Sequence, residues 1–153
     1  MTDVLVLQEA PEGFNPKVEV AACFVVVRDL VLFLKRQPHR AEGNTWGIAG
    51  GKCEKGETAL EAVVREVKEE TTIEVDASLM KSFGKVYIRY PHVDFIYHMF
   101  EYTFSELPNV VIMMEEHSEY VWVTLEGALK MTLIPGEAEC IHLCYDGSTM
   151  LQA

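Results

Sequence analysis

Two segments of the sequence decide its fold, and they read GGKCEKGE at residues 50–57 and REVKEETTI at residues 65–73. The first is rich in glycine and predicts a turn at residues 50–51. The second is rich in glutamate and predicts a helix. The glycine-rich turn lies shortly before the clustered glutamates. These glutamates therefore form either a charged surface or a functional site.

The segment after Thr58 has the periodicity of an amphipathic helix. Apolar and small side chains recur at helical spacing and form one stripe, which consists of Leu60, Val63, Val64, Val67 and Thr71. The sequence from Thr58 to Glu61 has the form of a capping box, which predicts that the helix begins there. The spacing i, i+3, i+4 places Glu66, Glu69 and Glu70 together in a sector beside that stripe.

The three clustered glutamates have two interpretations. Like charges at this spacing destabilise a helix by roughly a few tenths of a kcal/mol per pair, so a stable surface helix would be expected to mix its charges. Carboxylate oxygens suit Mg²⁺ or Mn²⁺, and Mg²⁺ completes its coordination with waters and substrate phosphates. The residues alone therefore leave two readings open, a divalent metal site and a solvated acidic face.

The spacing of these residues resembles the Nudix box of the Nudix hydrolases, the MutT-like family. That box reads G, five residues, E, seven residues, R-E-apolar, one residue, E-E, one residue, G-apolar. The matching positions in this chain are Gly51, Glu57, Arg65, Glu66, Val67, Glu69, Glu70 and Ile73. Thr72 replaces the last glycine of the box. A β-branched residue in a left-handed helix end would be strained by about 1 kcal/mol, or the helix would have to end differently.

The resemblance implies hydrolysis of a diphosphate linkage in a nucleoside diphosphate derivative, with Mg²⁺ or Mn²⁺ as cofactor. The metal ligands that it implies by position are Glu66, Glu69, Glu70 and the backbone carbonyl of Gly50. It further implies that Arg65 and Glu57, together with Gly51, hold the loop and the helix in register.

Three carboxylates are candidates for catalysis. Glu66 and Glu69 lie in the predicted helix. Glu116 is added because residues 116–122 resemble the E-H-x-x-Y-x-W stretch that precedes a late strand in several family members; an ordinary acidic loop is the alternative. Arg36, which ends a predicted strand, is a candidate phosphate contact, and a solvent-facing strand end is the alternative.

The composition narrows the class of protein. The 153 residues suit one domain, residues 1–153, and an apolar fraction of 49% is far from that of a disordered chain. The formal charge of -11 argues against binding a nucleic-acid polymer but not against a small phosphate ligand neutralised by cations. The sequence has no apolar run of roughly 20 residues and no basic N-terminal segment. It therefore predicts a cytoplasmic protein that does not enter a membrane.

The remaining pattern predicts the order β-β-β-α-β-β-β-α. Apolar or alternating runs predict strands at residues 18–27, 30–36, 46–49, 82–89, 94–104 and 120–124. Another extended segment is expected to start at residues 73–75. A helical turn is predicted at residues 125–130, and a C-terminal helix at residues 136–145. This order indicates an α/β (α+β) protein, and the resemblance implies the Nudix α/β/α sandwich with a mixed central sheet.

The predicted function is the hydrolysis of a nucleoside triphosphate, oxidised ones included, to a monophosphate and pyrophosphate. Dinucleoside polyphosphates and nucleotide sugars are alternative substrates, and a non-catalytic nucleotide sensor is the alternative from another class. The predicted partner is a small nucleotide, and the sequence leaves a homodimer open.

Overall fold

The protein is built around a mixed β-sheet in the computed structural model, which describes residues 4–146. The strands of the described part are β1 (Leu5–Leu7), β2 (Val18–Val27), β3 (Leu30–Arg36), β4 (Trp46–Gly47), β5 (Ala49–Lys52), β6 (Lys81–Tyr90), β7 (Val93–Phe104) and β8 (His117–Thr124). The helices are α1 (Ala59–Thr71), α2 (Leu125–Ala128) and α3 (Glu137–Tyr145), with one turn of 3-10 helix at Ala77–Leu79.

Strand β2 organises the sheet because it has different partners on its two edges. On one edge it runs parallel to β7 along its whole length, from Val18 opposite Phe95 onward. On the other edge, its first half pairs with β5 and its last residues pair with β3, both antiparallel. The resulting order is β1-β6-β7-β2-β3-β4, with β5 paired to β2 and β8 paired to β3. This division leaves β5 paired to β2 alone among the described strands, so its other edge is free to contact Glu70 of α1.

Two hydrophobic cores lie on opposite faces of the sheet. Alternate side chains of a strand point to opposite faces, and β2 is apolar at successive positions, so it contributes to both cores. Ala21 and Cys23 pack with Val63 and Val67 of α1. The other core joins β2 to α2 and α3 through a set of buried side chains that includes Ala22, Phe24, Ala128, Cys140 and Ile141. The fold is thus the predicted α/β/α sandwich.

Most of the predicted elements are present. The hairpin of β2 and β3 has the predicted bounds, and the capping box is complete: Thr58 Oγ1 accepts from the Glu61 N–H at 3.1 Å, and Glu61 Oε1 accepts from the Thr58 N–H at 2.9 Å. The sequence did not indicate β1, a three-residue strand paired to β6. No helix within residues 4–146 combines the length and apolar character that crossing a membrane requires.

Two local predictions are wrong. Gly50 and Gly51 do not form a turn but lie in β5, opposite Ala22 and Ala21 of β2. A Cβ on Gly50 would overlap Ala22, 2.5 Å from its Cβ, so close strand packing explains this glycine.

Residues 73–75 are not a strand either. Thr72 ends α1 with a left-handed backbone, at φ 64° and ψ 4°, and its N–H donates to the Lys68 carbonyl. The chain therefore turns directly after the helix. The buried side chain of Ile73 packs into the α1 core, and the next element is the 3-10 helix, capped by Asp76.

Candidate active site

Arg65 connects the loop after β5 to helix α1. Its Nε and Nη2 donate to the two carboxylate oxygens of Glu57 at 2.7 and 2.9 Å, and Nη2 also donates to the Lys52 carbonyl at 3.1 Å. Nη1 donates to Glu66 at 2.8 Å and to Glu69 at 3.1 Å. The guanidinium lowers the pKa of Glu57 to about 2. One cation thus fixes three carboxylates and the loop backbone.

Glu66 lies directly against the backbone of β5. A Cβ on Gly51 would overlap the Glu66 carboxylate, 2.7 Å from Oε1 and closer still to Oε2. Burial is the main cause that raises the pKa of Glu66, while Arg65 lowers it and Glu69 and Glu116 raise it further. A side chain at position 51 would therefore displace this carboxylate.

Glu70 is a buried carboxylate at the end of α1. It is 4% exposed, and its Oε1 accepts a hydrogen bond from the Gly50 N–H at 2.9 Å. Burial raises its pKa well above the usual range, opposed by that hydrogen bond and reinforced by Glu66 and Glu116. A buried carboxylate with acidic neighbours requires a compensating positive charge or a proton.

Glu116 reaches this site because the loop before β8 is hydrogen-bonded to the end of α1. The N–H of Val111 donates to the Thr71 carbonyl at 3.0 Å, and the N–H of Met113 donates to the Glu70 carbonyl at 3.2 Å. These carbonyls belong to the last turn of the helix, which cannot satisfy them itself. The loop thereby brings Glu116, remote in sequence, beside Glu70.

Gln37 and Arg40 hold Glu116 from the other side. Gln37 donates three hydrogen bonds to this loop: its N–H donates to the Glu116 carbonyl at 3.0 Å, and its Nε2 donates to the carbonyls of Met114 and His117 at 2.7 and 3.3 Å. Arg40 Nη2 lies 3.4 Å from Glu116 Oε1. The backbone of Glu116 is thus fixed, and its carboxylate is paired with an exposed guanidinium.

His117 joins the same group. One ligand atom each from Glu70, Glu116 and His117 lie within 4.8 Å of one another. His117 is 4% exposed, and its Nδ1 has no hydrogen-bond partner within the described part of the chain. Burial, with Arg36 nearby, lowers its pKa to about 4, so the ring is neutral near pH 7.

A divalent cation fits this group of side chains. Glu70 is a buried carboxylate that lacks a cationic hydrogen-bond partner among residues 4–146, and the unpaired Nδ1 of His117 offers a lone pair when the ring proton is on Nε2. Carboxylate oxygens suit Mg²⁺ and Mn²⁺, whereas an imidazole nitrogen suits transition metals. Glu66 and Glu69, which the resemblance implies as ligands, contact Arg65 and are not among the three grouped residues.

A cavity of about 250 Å³ lies on the α3 face of the sheet. Gly50, Gly51 and Arg36 line it, so it adjoins the strand that contacts Glu70. Most of its other walls are apolar, including Ala22, Ile48, Ile88, Phe95, Ile134 and Cys140. Whole ligand sites usually exceed roughly 300 Å³, so the cavity suits one part of a larger ligand.

The family model described as the NUDIX domain matches residues 16–144, which is most of the chain and includes the whole site. The chain belongs to the Nudix family. Its relatives include the CTP pyrophosphohydrolase of Escherichia coli (strain K12), which is 28% identical over 122 residues and is matched over 78% of this chain and 85% of that protein. The uncharacterized Nudix hydrolase YvcI of Bacillus subtilis (strain 168) is 25% identical over 86% of this chain and 82% of its own length.

A solved structure with the same fold is the MutT protein from Methanosarcina mazei Go1. It superimposes with a TM-score of 0.68 at 28% identity, covering 80% of this chain and 88% of that one. The protein is therefore a MutT-like Nudix hydrolase, an enzyme of the pyrophosphohydrolase class.

Three residues that lie beside the candidate carboxylates are not singled out by the sequence. Gln37 and Arg40 lie in a polar loop and contact Glu116, and His117 is marked only as part of the resembling stretch. The signal for His117 was its place directly after Glu116. No local pattern marks Gln37 or Arg40, because their role depends on two loops meeting across β3 and β8.

Proposed function

We propose that this Nudix hydrolase cleaves a diphosphate linkage of a nucleoside triphosphate, giving a nucleoside monophosphate and pyrophosphate, with Mg²⁺ or Mn²⁺. The observation that carries the proposal is the grouping of Glu70, Glu116 and His117 beside a largely apolar cavity. The acidic group suits a cation and the phosphates that it binds. The cavity suits the nucleobase at the other end of the same substrate.

The ligands of the cation, in this proposal, are Glu70, Glu66, Glu69 and the Gly50 carbonyl, and Glu116 lies beside Glu70. The N–H of Gly50 donates to Glu70 rather than to β2. Since the N–H and C=O of a strand residue face the same edge, we expect its carbonyl to face the site as well. A bound divalent cation would neutralise the phosphates and lower the pKa of a coordinated water.

Glu116 is the proposed general base. As the oxygen of the attacking water bonds to phosphorus, the carboxylate of Glu116 takes its proton, and the bond to the leaving phosphate oxygen breaks. The hydrogen bonds from Gln37 to the carbonyls around Glu116 hold the position of its carboxylate. Glu66 and Glu69 are the alternative bases. Arg65 lies 2.8 and 3.1 Å from their carboxylates, closer than the 3.4 Å between Arg40 and Glu116, and therefore disfavours proton uptake more strongly there.

Arg36 is the proposed phosphate contact. It lines the cavity, and its Nε donates to the Ala41 carbonyl at 2.6 Å, which leaves its other nitrogens available to a ligand. Its charge acts on both Glu70 and His117. Arg36 therefore lies between the acidic group and the cavity, where a nucleotide would place its phosphates.

The similarity to a CTP pyrophosphohydrolase favours triphosphates over dinucleoside polyphosphates and nucleotide sugars. The intact box carboxylates Glu66, Glu69 and Glu70 favour an enzyme over a nucleotide sensor, because a sensor has no need of three carboxylate ligands for a cation. An intracellular nucleotide pool as the source of substrate, and a cytoplasmic location, belong to the same proposal.

The test is a turnover assay of the purified protein with Mg²⁺ and a panel of nucleoside triphosphates, nucleotide sugars and dinucleoside polyphosphates. We expect pyrophosphate and monophosphate from at least one triphosphate, and none after chelation of the metal. Glu70→Gln should reduce kcat by about a hundredfold or more. Glu74→Gln is the matched control, because Glu74 is exposed and pairs only with Lys68 among the described residues.

Two results would refute the proposal. One is binding of nucleotides without turnover of any member of the panel, which would support the sensor. The other is equal activity in Glu70→Gln and Glu74→Gln, which would remove the acidic group from the chemistry.

A further inference from the structure

His117 has a buried ring to which the proposed reaction assigns no role. It is the first residue of β8 and is 4% exposed. Its Nδ1 is shielded from solvent and lacks a hydrogen-bond partner among the residues that the structure describes. Buried polar atoms nearly always have a partner. The ring of His117 is therefore available to a ligand at the acidic group.

The backbone of His117 is held on two sides. Its N–H donates to the Met113 carbonyl at 3.0 Å, and its carbonyl accepts from Gln37 Nε2 at 3.3 Å. Its strand partner is Arg36 of β3, just beyond a bulge between Lys35 and Arg36. Bulges redirect nearby side chains and are frequent beside active sites. The backbone that carries the ring is therefore fixed next to the acidic group.

The distances allow His117 and Glu70 to bind the same cation. One ring nitrogen of His117 and one carboxylate oxygen of Glu70 lie within 4.8 Å of each other, and an oxygen of Glu116 lies within the same distance of both. Each ligand of a Zn²⁺ ion is about 2.0–2.1 Å from the metal, so two ligands lie roughly 3–4 Å apart. Side-chain movements of about 1–2 Å therefore bring the nitrogen and the oxygen to one ion.

We propose that a ring nitrogen of His117 binds the cation that Glu70 holds, so that the site prefers transition ions to Mg²⁺. This inference rests on the proposed function for the presence of the cation and adds a nitrogen ligand to its oxygen ligands. Mg²⁺ selects oxygen ligands, whereas an imidazole nitrogen strengthens the binding of first-row transition ions. Of the two cations in the proposed function the ring favours Mn²⁺, and it admits Co²⁺ and Zn²⁺. Glu116 stays beside the ion, as its role as the base requires.

The first experiment compares metal affinities by calorimetry at pH 8, where an ordinary histidine is neutral. Mg²⁺, Mn²⁺ and Co²⁺ are titrated separately into the wild type and into His117→Leu. Loss of the nitrogen should weaken Co²⁺ binding by about tenfold or more, and Mn²⁺ binding by less. The affinity for Mg²⁺ should change by less than about twofold. His39→Leu is the matched control, because His39 is exposed in the loop after β3 and should leave all three affinities unchanged.

The second experiment observes the ring nitrogen directly in the wild type. Zn²⁺ is diamagnetic, so the ring ¹⁵N resonances of all five histidines can be followed by NMR as it is added. One equivalent of Zn²⁺ should shift the resonance of His117, assigned through its backbone, whereas Mg²⁺ should leave that resonance in place. This measurement needs no variant, so a variant that fails to fold does not block the test.

Two results would overturn the inference. One is an unshifted His117 ring in the protein saturated with Zn²⁺. The other is a loss of Mg²⁺ affinity in His117→Leu as large as the loss of Co²⁺ affinity, which would make the ring a support of the site rather than a ligand.

The two proposals fail separately. Turnover of a triphosphate together with an unshifted His117 ring would keep the proposed function and remove the nitrogen ligand. A shifted His117 ring in a protein that turns over no member of the substrate panel would keep the metal ligand and remove the proposed function.

Discussion

Replacing Thr72 by glycine should stabilise the protein. Thr72 ends α1 at φ 64° and ψ 4°, in the left-handed region. For an L-residue with a Cβ this conformation costs roughly 1–2 kcal/mol, whereas glycine adopts it freely. Because Thr72 is exposed, the substitution creates no cavity in the core and removes no core contact. The backbone hydrogen bond from its N–H to the Lys68 carbonyl does not depend on the side chain.

Two effects reduce the gain. Glycine loses more conformational entropy on folding, which costs about 0.5–1 kcal/mol. The hydrogen bond from Thr72 Oγ1 to the Thr71 carbonyl at 2.6 Å is also lost. That carbonyl still accepts from the Val111 N–H at 3.0 Å, so it does not become unsatisfied. The net gain should be about 0.5–1 kcal/mol, which corresponds to roughly 1–4 °C in Tm for a chain of this size.

The assay is urea unfolding followed by circular dichroism, with the slope m as a check that the unfolded state is unchanged. Thr103→Gly is the matched control. Thr103 is exposed near the end of β7, pairs with Val26 and does not have a positive φ. Glycine there should lower the free energy of unfolding by about 1 kcal/mol. If Thr72→Gly is neutral or destabilising while Thr103→Gly behaves as expected, left-handed strain at residue 72 is refuted.

Three further predictions concern the box and the cavity. Gly51→Ala should reduce kcat by about a hundredfold, because the new Cβ displaces the Glu66 carboxylate. The circular dichroism spectrum should remain that of the folded protein, and a normal kcat would show that Glu66 can move without loss of activity. Glu57→Gln should weaken Mn²⁺ binding by about tenfold in calorimetry, because Arg65 loses its bidentate partner, and unchanged affinity would contradict this. The folded pKa of Glu137, about 7, lies above its ordinary 4.5, so the protein loses stability as the pH rises between these values. The free energy of unfolding of Glu137→Gln should therefore rise by up to roughly 3 kcal/mol relative to that of the wild type between pH 4.5 and 8. A difference between the two proteins that stays constant across this pH range would refute the raised pKa.

Local spacing was sufficient for the helix that carries three of the candidate carboxylates. The capping box fixed the start of α1, the apolar stripe fixed its buried face, and the i, i+3, i+4 spacing placed Glu66, Glu69 and Glu70 near one another. The backbone strain at Thr72 is also indicated by the sequence, because a β-branched residue replaces the glycine of the box there. The prediction of an extended segment at residues 73–75 is wrong because an alternation over only three residues, Ile-Glu-Val, cannot distinguish a strand from a loop that buries one side chain, Ile73.

Glycine 50 shows where local reasoning fails. Two consecutive glycines indicate a turn by composition, yet Gly50 lies in a strand because β2 packs so closely that a Cβ would overlap Ala22. That requirement comes from a neighbour 28 positions earlier in the chain, and no pattern around residue 50 records it.

The sequence by itself determined the family and the helix with its acidic edge, because these depend on the order of residues within one helix and its loop. Only the tertiary structure decided which groups complete the site. Backbone hydrogen bonds from the loop before β8 to the end of α1 bring Glu116 and His117 to Glu70. Packing of α3 on the sheet brings Glu137 to Tyr97, 40 positions away, and places both at the cavity. Such contacts join distant parts of the chain, so they arise from strand pairing and core packing rather than from local spacing.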